Sequence, residues 1–449
     1  MQLLKKSLLA SAIFSICSGA MAAGFQVTEH SAKGLGRSNA GDAAIAEDAS
    51  VVSANPALMT KLTKPTLTVL GAYIMPDINV EGTSTNYFTT GGTPIYSKEH
   101  DVAPNAFVPA MYFVMPINEQ WTFGIGGFSD YGLKTDYSAE AMTAPLADKT
   151  DLKIATLNPS LAYKVDDSLS IGIGFDIAYA DATINSSMPA NIQNSQFAPF
   201  AGKKITEMTG NDYGYGWNLG LTYNFSPDTT IGLSYRSKID FKLDGHVNTG
   251  ILPSLGSALL QQDPNNQTAK FLASLPASFN DTVNLTTPDI WQLALDQKLP
   301  NGLSLQASVF HLGWSNFDKL VANSQRGAML LNQPENWNDT WAYALGLTYQ
   351  MTSDLTLRAG IKYDESPTDT QNRTLRIPDN SRTWYSLGLS YKFNDNFDVD
   401  FGWAYLSINS VTVHEGEFIE NGAPSLTGQF DGTGDGTANI VGLQANYRF

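Results

Sequence analysis

Five histidines, His30, His100, His246, His311 and His414, are scattered along the chain, and no two share the spacing that gathers a metal ion. No serine sits in a Gly-x-Ser-x-Gly elbow, so a serine–histidine hydrolase would have to assemble its pair from distant segments. Gly34-x-Gly36 is no nucleotide loop, because no strand precedes it. Asp431-Gly432-Thr433-Gly434-Asp435-Gly436 offers carboxylates to Ca²⁺ without the further ligands of a known loop, and reads as an acidic mobile turn. The chain therefore reads as a non-enzyme without metal or cofactor. A different chemistry is visible. Within His246 to Asp281, Leu255 and Leu259, then Phe271 and Leu275, recur at helical spacing. Short helices there would present an apolar face, either packed on itself as a cap or open as an outer groove for a hydrophobic ligand. Lys319 is either a cation that can hold a carboxylate or a solvated rim charge.

What positions these residues is strand periodicity. Val441, Leu443, Ala445, Tyr447 and Phe449 share one face of the last nine residues, while Gly442, Gln444, Asn446 and Arg448 share the other, and the chain stops on an aromatic. Greasy outside and polar inside is the pattern of a membrane β-barrel's closing strand. The same alternation recurs in Leu169–Tyr179, Trp341–Tyr349, Tyr385–Phe393 and Phe397–Tyr405. Short turns are expected at Pro116-Ile117-Asn118, Asp166-Asp167, Ser226-Pro227-Asp228, Pro300-Asn301-Gly302, Thr352-Ser353-Asp354 and Asn394-Asp395-Asn396. Six turns join six strand pairs; with a first strand near Thr66 to Ile74 and the last at Phe449, the fold class is all-β, an antiparallel barrel of about 14 strands, even as bacterial barrels are. Long outer connections are expected over Ser186 to Asn211 and His246 to Asp281. A soluble β-sandwich is the bland alternative.

Lys5 and Lys6, an apolar run from Leu8 to Ile16 and the small-residue site Ala20-Met21-Ala22 read as a secretory signal peptide over residues 1–22. The only cysteine, Cys17, leaves with it. No later stretch approaches the roughly 20 apolar residues of a transmembrane helix. Charged residues are only 16%, and the net charge of -16 would repel nucleic acid. With 19 Tyr and 22 Phe, acidic disorder is excluded. Residues 23–64 lack barrel alternation and are rich in small residues; as a periplasmic tail they would expose Ile45, Val51, Val52, Leu58 and Met59, so a plug inside the barrel of residues 65–449 is expected.

Specific residues then carry a resemblance. Ala23-Gly24-Phe25-Gln26, Gly34-Leu35-Gly36-Arg37, Ala44-Ile45-Ala46-Glu47-Asp48-Ala49 and Asn55-Pro56-Ala57 resemble the hatch of the long-chain fatty-acid transporter (FadL) family of bacterial outer membranes. Tyr131-Gly132-Leu133, Gly214-Tyr215-Gly216-Trp217-Asn218, Tyr235-Arg236-Ser237 and Ile377-Pro378-Asp379 extend it over the mature chain.

The resemblance implies a 14-stranded barrel closed by an N-terminal hatch, passing fatty acids or similar hydrophobic compounds inward by diffusion. Ligand would enter the outer groove, here Leu255, Leu259, Phe271 and Leu275, then an inner site that carries over as Phe25, Ala182 and Ile184. Where the family can place basic residues for the carboxylate, this chain has Ser186 and Val321, so Lys319 is the substitute expected from strand parity. Ligand would leave through a gap at a kink in the third strand, matched by Ser129, Asp130, Tyr131 and Gly132, with Asn55, Pro56 and Ala57 beside it. The implied partners are these small molecules, outer-membrane lipid and the barrel-assembly machinery, with no nucleic acid and a monomeric state. A structural or adhesive surface barrel, a general porin and an outer-membrane phospholipase are the alternatives.

Overall fold

The computed structural model describes residues 24–321, 332–420 and 423–449; the expected signal peptide lies outside them. Among the described residues, antiparallel pairing closes a 14-strand barrel: β1 (Thr66–Thr85), β2 (Ile95–Glu99 and Ala106–Pro116), β3 (Trp121–Asp136), β4 (Lys149–Lys164), β5 (Leu169–Ser187), β6 (Lys204–Ser226), β7 (Thr229–Arg236 and Asp240–Asn248), β8 (Ser278–Thr286 and Ile290–Lys298), β9 (Leu303–Leu312), β10 (Thr340–Gln350), β11 (Leu355–Asp364), β12 (Arg382–Lys392), β13 (Phe397–Gly416) and β14 (Gln429–Arg448). β14 returns to β1 from Thr66↔Arg448 to Thr85↔Gln429, which closes the cylinder.

All six short turns fall between strands as expected, and their side chains explain why. Asn118 Oδ1 accepts from the N–H groups of Gln120 and Trp121, and Asp166 and Asn394 repeat the device. The Thr352 hydroxyl does the same for Asp354 and Leu355. Such local bonds complete the turn without help from the rest of the fold.

Face by face, the alternation holds. Leu443, Tyr447 and Phe449 are exposed on the outside, while Gln444 and Asn446 are buried within. Ile171, Ile173 and Phe175 face out, and Asp176 and Ala178 face in. The exposed side chains form a lipid-facing band in which aromatics such as Trp121, Tyr223 and Phe393 lie near the turn end.

Two loop expectations are corrected. Residues 204–211 are strand, paired with β5 and with β7, so the first long connection spans only 188–203. Asp431–Gly436 belongs to β14 rather than to a turn; Asp431 pairs with Thr83 on one side and His414 on the other. In both cases the strand rises beyond the lipid band, both faces turn polar, and the period-two signal disappears.

The interior is filled by residues 24–62. Ser31 caps the helix Ala32–Leu35, accepting from Lys33 and Gly34 N–H, and Asn55 Oδ1 accepts from Ala57 N–H to start the 3₁₀ turn Pro56–Lys61. The barrel wall is shaped to this segment: a Cβ on Gly220 would lie 1.9 Å from Asn55 Oδ1, one on Gly232 1.7 Å from the Ala43 carbonyl, and one on Gly402 2.4 Å from the Ala32 carbonyl. Buried ions fix it further. Lys33 Nζ lies 3.3 to 3.4 Å from Asp48, Asp398 and Asp400, and Glu47 bridges Arg37 and Arg358. Burial works against ionising Glu47, but Arg358 and Arg37 overcome it and hold its carboxyl well below the usual range.

Candidate functional site

The site begins where a strand loses its partner. β3 pairs with β2 only from Pro116↔Thr122 to Met111↔Gly127, and its register against β4 breaks between Phe128 and Tyr131. Ser129 and Asp130 stand opposite the single residue Ala155, and this one-residue bulge forms the kink, beyond which β3 presents an edge to residues 25–27. Phe25 to Val27 occupies that edge. Val27 N–H donates to the Asp130 carbonyl at 2.7 Å, Gly132 N–H donates to the Phe25 carbonyl at 2.8 Å, and Gln26 opposes Tyr131 between them. His30 Nε2 lies 3.1 Å from the Ser129 carbonyl and 3.2 Å from Asp130. The N-terminal segment thus acts as a short added strand across the gap.

The kink's neighbour differs from expectation. Asn55, Pro56 and Ala57 pack on Gly172 of β5 and Gly220 of β6, and Asn55 Nδ2 donates to the Leu221 carbonyl. Only small residues in the wall let that backbone approach, so the motif anchors the segment there while Phe25 to His30 attends the kink. Arg236 links the two regions: it donates to Asp176 at 2.7 Å and to the Ser53 carbonyl at 2.9 Å, and lies 3.6 Å from Asp130.

Phe25 is fully enclosed by rings. Its centroid lies 4.9 Å from Trp314, 5.3 Å from Phe317 and 5.8 Å from both Tyr131 and Trp337. Edge contacts of this kind contribute about 0.5–1.5 kcal/mol each beyond burial. Beside Phe25 lies a small apolar cavity of about 70 Å³, so an acyl chain can enter fully only if neighbouring side chains move. Ala182 and Ile184 line it with Phe25, as expected, together with Leu133, Leu152 and Leu243. A second chamber, which Gln26 but not Phe25 lines, mixes the charged groups Arg37, Glu47, Arg236 and Lys362 with apolar Ile45, Ile290 and Phe310.

Lys319 does not join this site. It is exposed at the start of a small hairpin strand, Lys319–Val321, while its neighbour Leu320 lines the cavity. Lys319 lies in a separate two-stranded hairpin paired with Asn332–Pro334, so parity along a barrel strand does not govern its side chain. Among the described residues the arginine at the cavity is Arg376, the residue just before Ile377-Pro378-Asp379 and absent from the sequence expectation. Arg376 Nη2 donates to Ser186 Oγ at 2.9 Å and Nη1 to Thr150 Oγ1 at 3.2 Å. Burial pushes its guanidinium down, with acids nearby working the other way. Glu335, also missed, lines the same cavity; Trp337 Nε1 donates to it at 3.0 Å, and burial, reinforced by Glu415, pushes its carboxyl up to about 8.

Farther out, helices Leu252–Gln262 and Gln267–Ser274 cross so closely that a Cβ on Gly256 would lie 2.3 Å from Ala273 N. Leu255 and Leu275 are buried with Phe88, Met188 and Phe197, and Leu259 packs at the margin. Phe271 is exposed, and Leu272 takes the inward place.

With this geometry in view, the chain matches the family described as outer membrane protein transport protein (OMPP1/FadL/TodX) over residues 13–449. The chain belongs to that family. As a member it is a bacterial outer-membrane protein. It is 34% identical to the long-chain fatty acid transport protein of Escherichia coli O6:H1, covering 100% of this chain and 99% of the relative. It is 36% identical to a 47 kDa outer membrane protein of Pasteurella multocida, over 99% and 98%. Among solved structures, a Pseudomonas aeruginosa FadL homologue superposes with a TM-score of 0.82 at 24% identity, covering 95% of this chain and 100% of that one. The Pseudomonas putida toluene transporter TodX gives a TM-score of 0.65 at 15% identity over 93% and 99%. These last two bear on the fold alone.

Proposed function

We propose that this protein carries long-chain fatty acids and similar hydrophobic molecules inward across the outer membrane without an energy source, by capture at the outer cap, residence in the apolar cavity and sideways release at the β3 kink. The observation that carries the reading is the placement of Phe25: one residue closes the apolar cavity with its ring and, through its carbonyl, closes the gap in the wall. The buried charges of the second chamber, Arg37, Glu47, Arg236 and Lys362, disfavour an oily molecule, so the route past Phe25 leads through the flank rather than down the bore. Relatives named as fatty acid transport proteins support the cargo class.

Magnitudes permit such a gate. Four ring contacts to Phe25 and the two backbone hydrogen bonds of Phe25 and Val27 hold this segment by roughly 3–9 kcal/mol at the ranges usual for each. Burying about ten CH₂ groups contributes on the order of 8 kcal/mol, so an acyl chain can compete for the same space. On this reading residues 23–64 are a gating hatch, residues 1–22 a cleaved leader, and Phe25, Ala182, Ile184 and Arg376 the inner site, with Ser129, Asp130 and Gly132 as the lateral gate. The protein works as a monomer in lipid after insertion by the barrel-assembly machinery, and performs no catalysis. The test is oleate uptake by cells whose only such transporter is this chain: Ala182→Trp, which fills the cavity, should abolish uptake while the barrel still inserts. Uptake at the wild-type rate would remove the cavity from the route.

A further inference from the structure

The polar end of the apolar cavity holds more acid than a carboxylate receptor needs. Arg376 and Glu335 both line it, Arg376 from the connection between β11 and β12 and Glu335 from the connection between β9 and β10. Glu415, on the outer part of β13, accepts from Leu375 N–H at 2.6 Å immediately beside Arg376. Asp148, at the head of β4, acts on the same guanidinium, so Arg376 already serves three carboxyl groups. The other titratable groups nearby are Asp151 of β4, which Lys153 pairs at 3.3 Å, His246 of β7 and Asp281 of β8, all three of which line the cavity, and Tyr137, which donates to the Leu375 carbonyl. A fatty-acid carboxylate reaching Arg376 would be a fourth acid at one cation, among buried groups where charges are weakly screened.

We propose that Glu335 is a specificity-determining residue of the inner cavity, admitting an anionic headgroup at Arg376 only with its own carboxyl protonated, so that capture of a carboxylate takes up a proton whereas capture of a neutral hydrocarbon does not. This rests on the cavity being the ligand site proposed above. Glu335 is 2% exposed, and Trp337 Nε1 holds one of its oxygens. Protonated, it keeps a donor that a bound carboxylate can accept; ionised, it is another anion competing for Arg376. The elevated carboxyl described above puts the transition where small changes in external pH reach it.

The test uses the purified full-length protein in detergent and two probes of equal chain length: dodecane-1-sulfonate, whose charge does not change with pH, and 1-dodecanol, which is neutral. Sulfonate affinity should be flat below pH 7 and fall about tenfold per unit well above pH 8, as expected for one titrating group. Dodecanol affinity should not change. In Glu335→Gln the sulfonate profile should become flat, with tighter binding than wild type at pH 9. Calorimetry in buffers of different ionisation enthalpy should show uptake of a fraction of a proton per sulfonate near pH 8, absent from the variant. A flat wild-type profile, or the same slope in Glu335→Gln, overturns the proposal. If Ala182→Trp binds both probes as wild type does, the cavity itself is not the site and the reading beneath the proposal fails instead.

Discussion

Gln26 and Tyr131 oppose one another as the narrow, non-hydrogen-bonded pair of a two-strand ladder whose flanking bonds run from Val27 N–H to the Asp130 carbonyl and from Gly132 N–H to the Phe25 carbonyl. The ladder is one pair long. It satisfies backbone groups that the kink strips from β3, and it places Phe25 among Trp314, Phe317 and Trp337. Closing the flank and closing the cavity are therefore one contact.

The rest of the hatch should behave as a fixed body. Lys33 is buried against Asp48, Asp398 and Asp400, so Lys33→Met leaves uncompensated carboxylates and should destabilise the hatch by about 3–5 kcal/mol. Hydrogen exchange over residues 31–61 measures it; protection equal to wild type would contradict the role given to the lysine.

Acid should loosen the same body. Glu47 has its carboxyl pKa depressed in the fold, so its contribution is fully present above the usual 4.5 and is lost as pH falls through the lower folded value. Proteolysis of the hatch should rise only below about pH 4.5 in wild type, whereas Glu47→Gln should be susceptible already at pH 7. Equal resistance of the two proteins at pH 7 would count against the Arg37 and Arg358 bridges.

Gly220→Val places side-chain atoms on Asn55 Oδ1. The expected outcome is a displaced hatch and an open bore, read as ion conductance in planar bilayers. A silent variant would mean that the motif Asn55-Pro56-Ala57 yields without releasing the plug.

At the headgroup, Arg376→Met should weaken fatty-acid binding by about tenfold or more, within the 1.5–3 kcal/mol of a hydrogen bond to a charged group, and leave a neutral hydrocarbon unaffected. Lys319→Ala should change neither, because that lysine is exposed. The reverse ranking would restore the expectation drawn from strand parity.

What the sequence made legible followed from lipid and from local bonds. Tyr447 and Phe449 had to face hydrocarbon, and turns such as Asn118 and Asp166 complete themselves, so strand order and number could be read from one dimension. The kink could be located only through the resemblance, because Ser129 and Asp130 carry no periodic signal of their own. Phe271 misled because a spacing of four fits either side of a short helix, and only packing against Phe88 and Phe197 selects Leu272 instead. Arg376 and Glu335 sit in irregular connections whose path is set by the barrel rim, so nothing in their neighbours' types announces that the two meet at one cavity.

The most direct test of the gate is a lock. A double variant, Gln26→Cys with Tyr131→Cys, joins an antiparallel pair whose Cα separation of roughly 4.5 Å suits a disulfide, and the only other cysteine, Cys17, falls in the proposed leader. Oleate uptake should stop in the oxidised protein and return on reduction, while each single variant transports in either condition. Uptake that continues unchanged with the bond formed would show that cargo does not pass Phe25, and the gate described here would not exist.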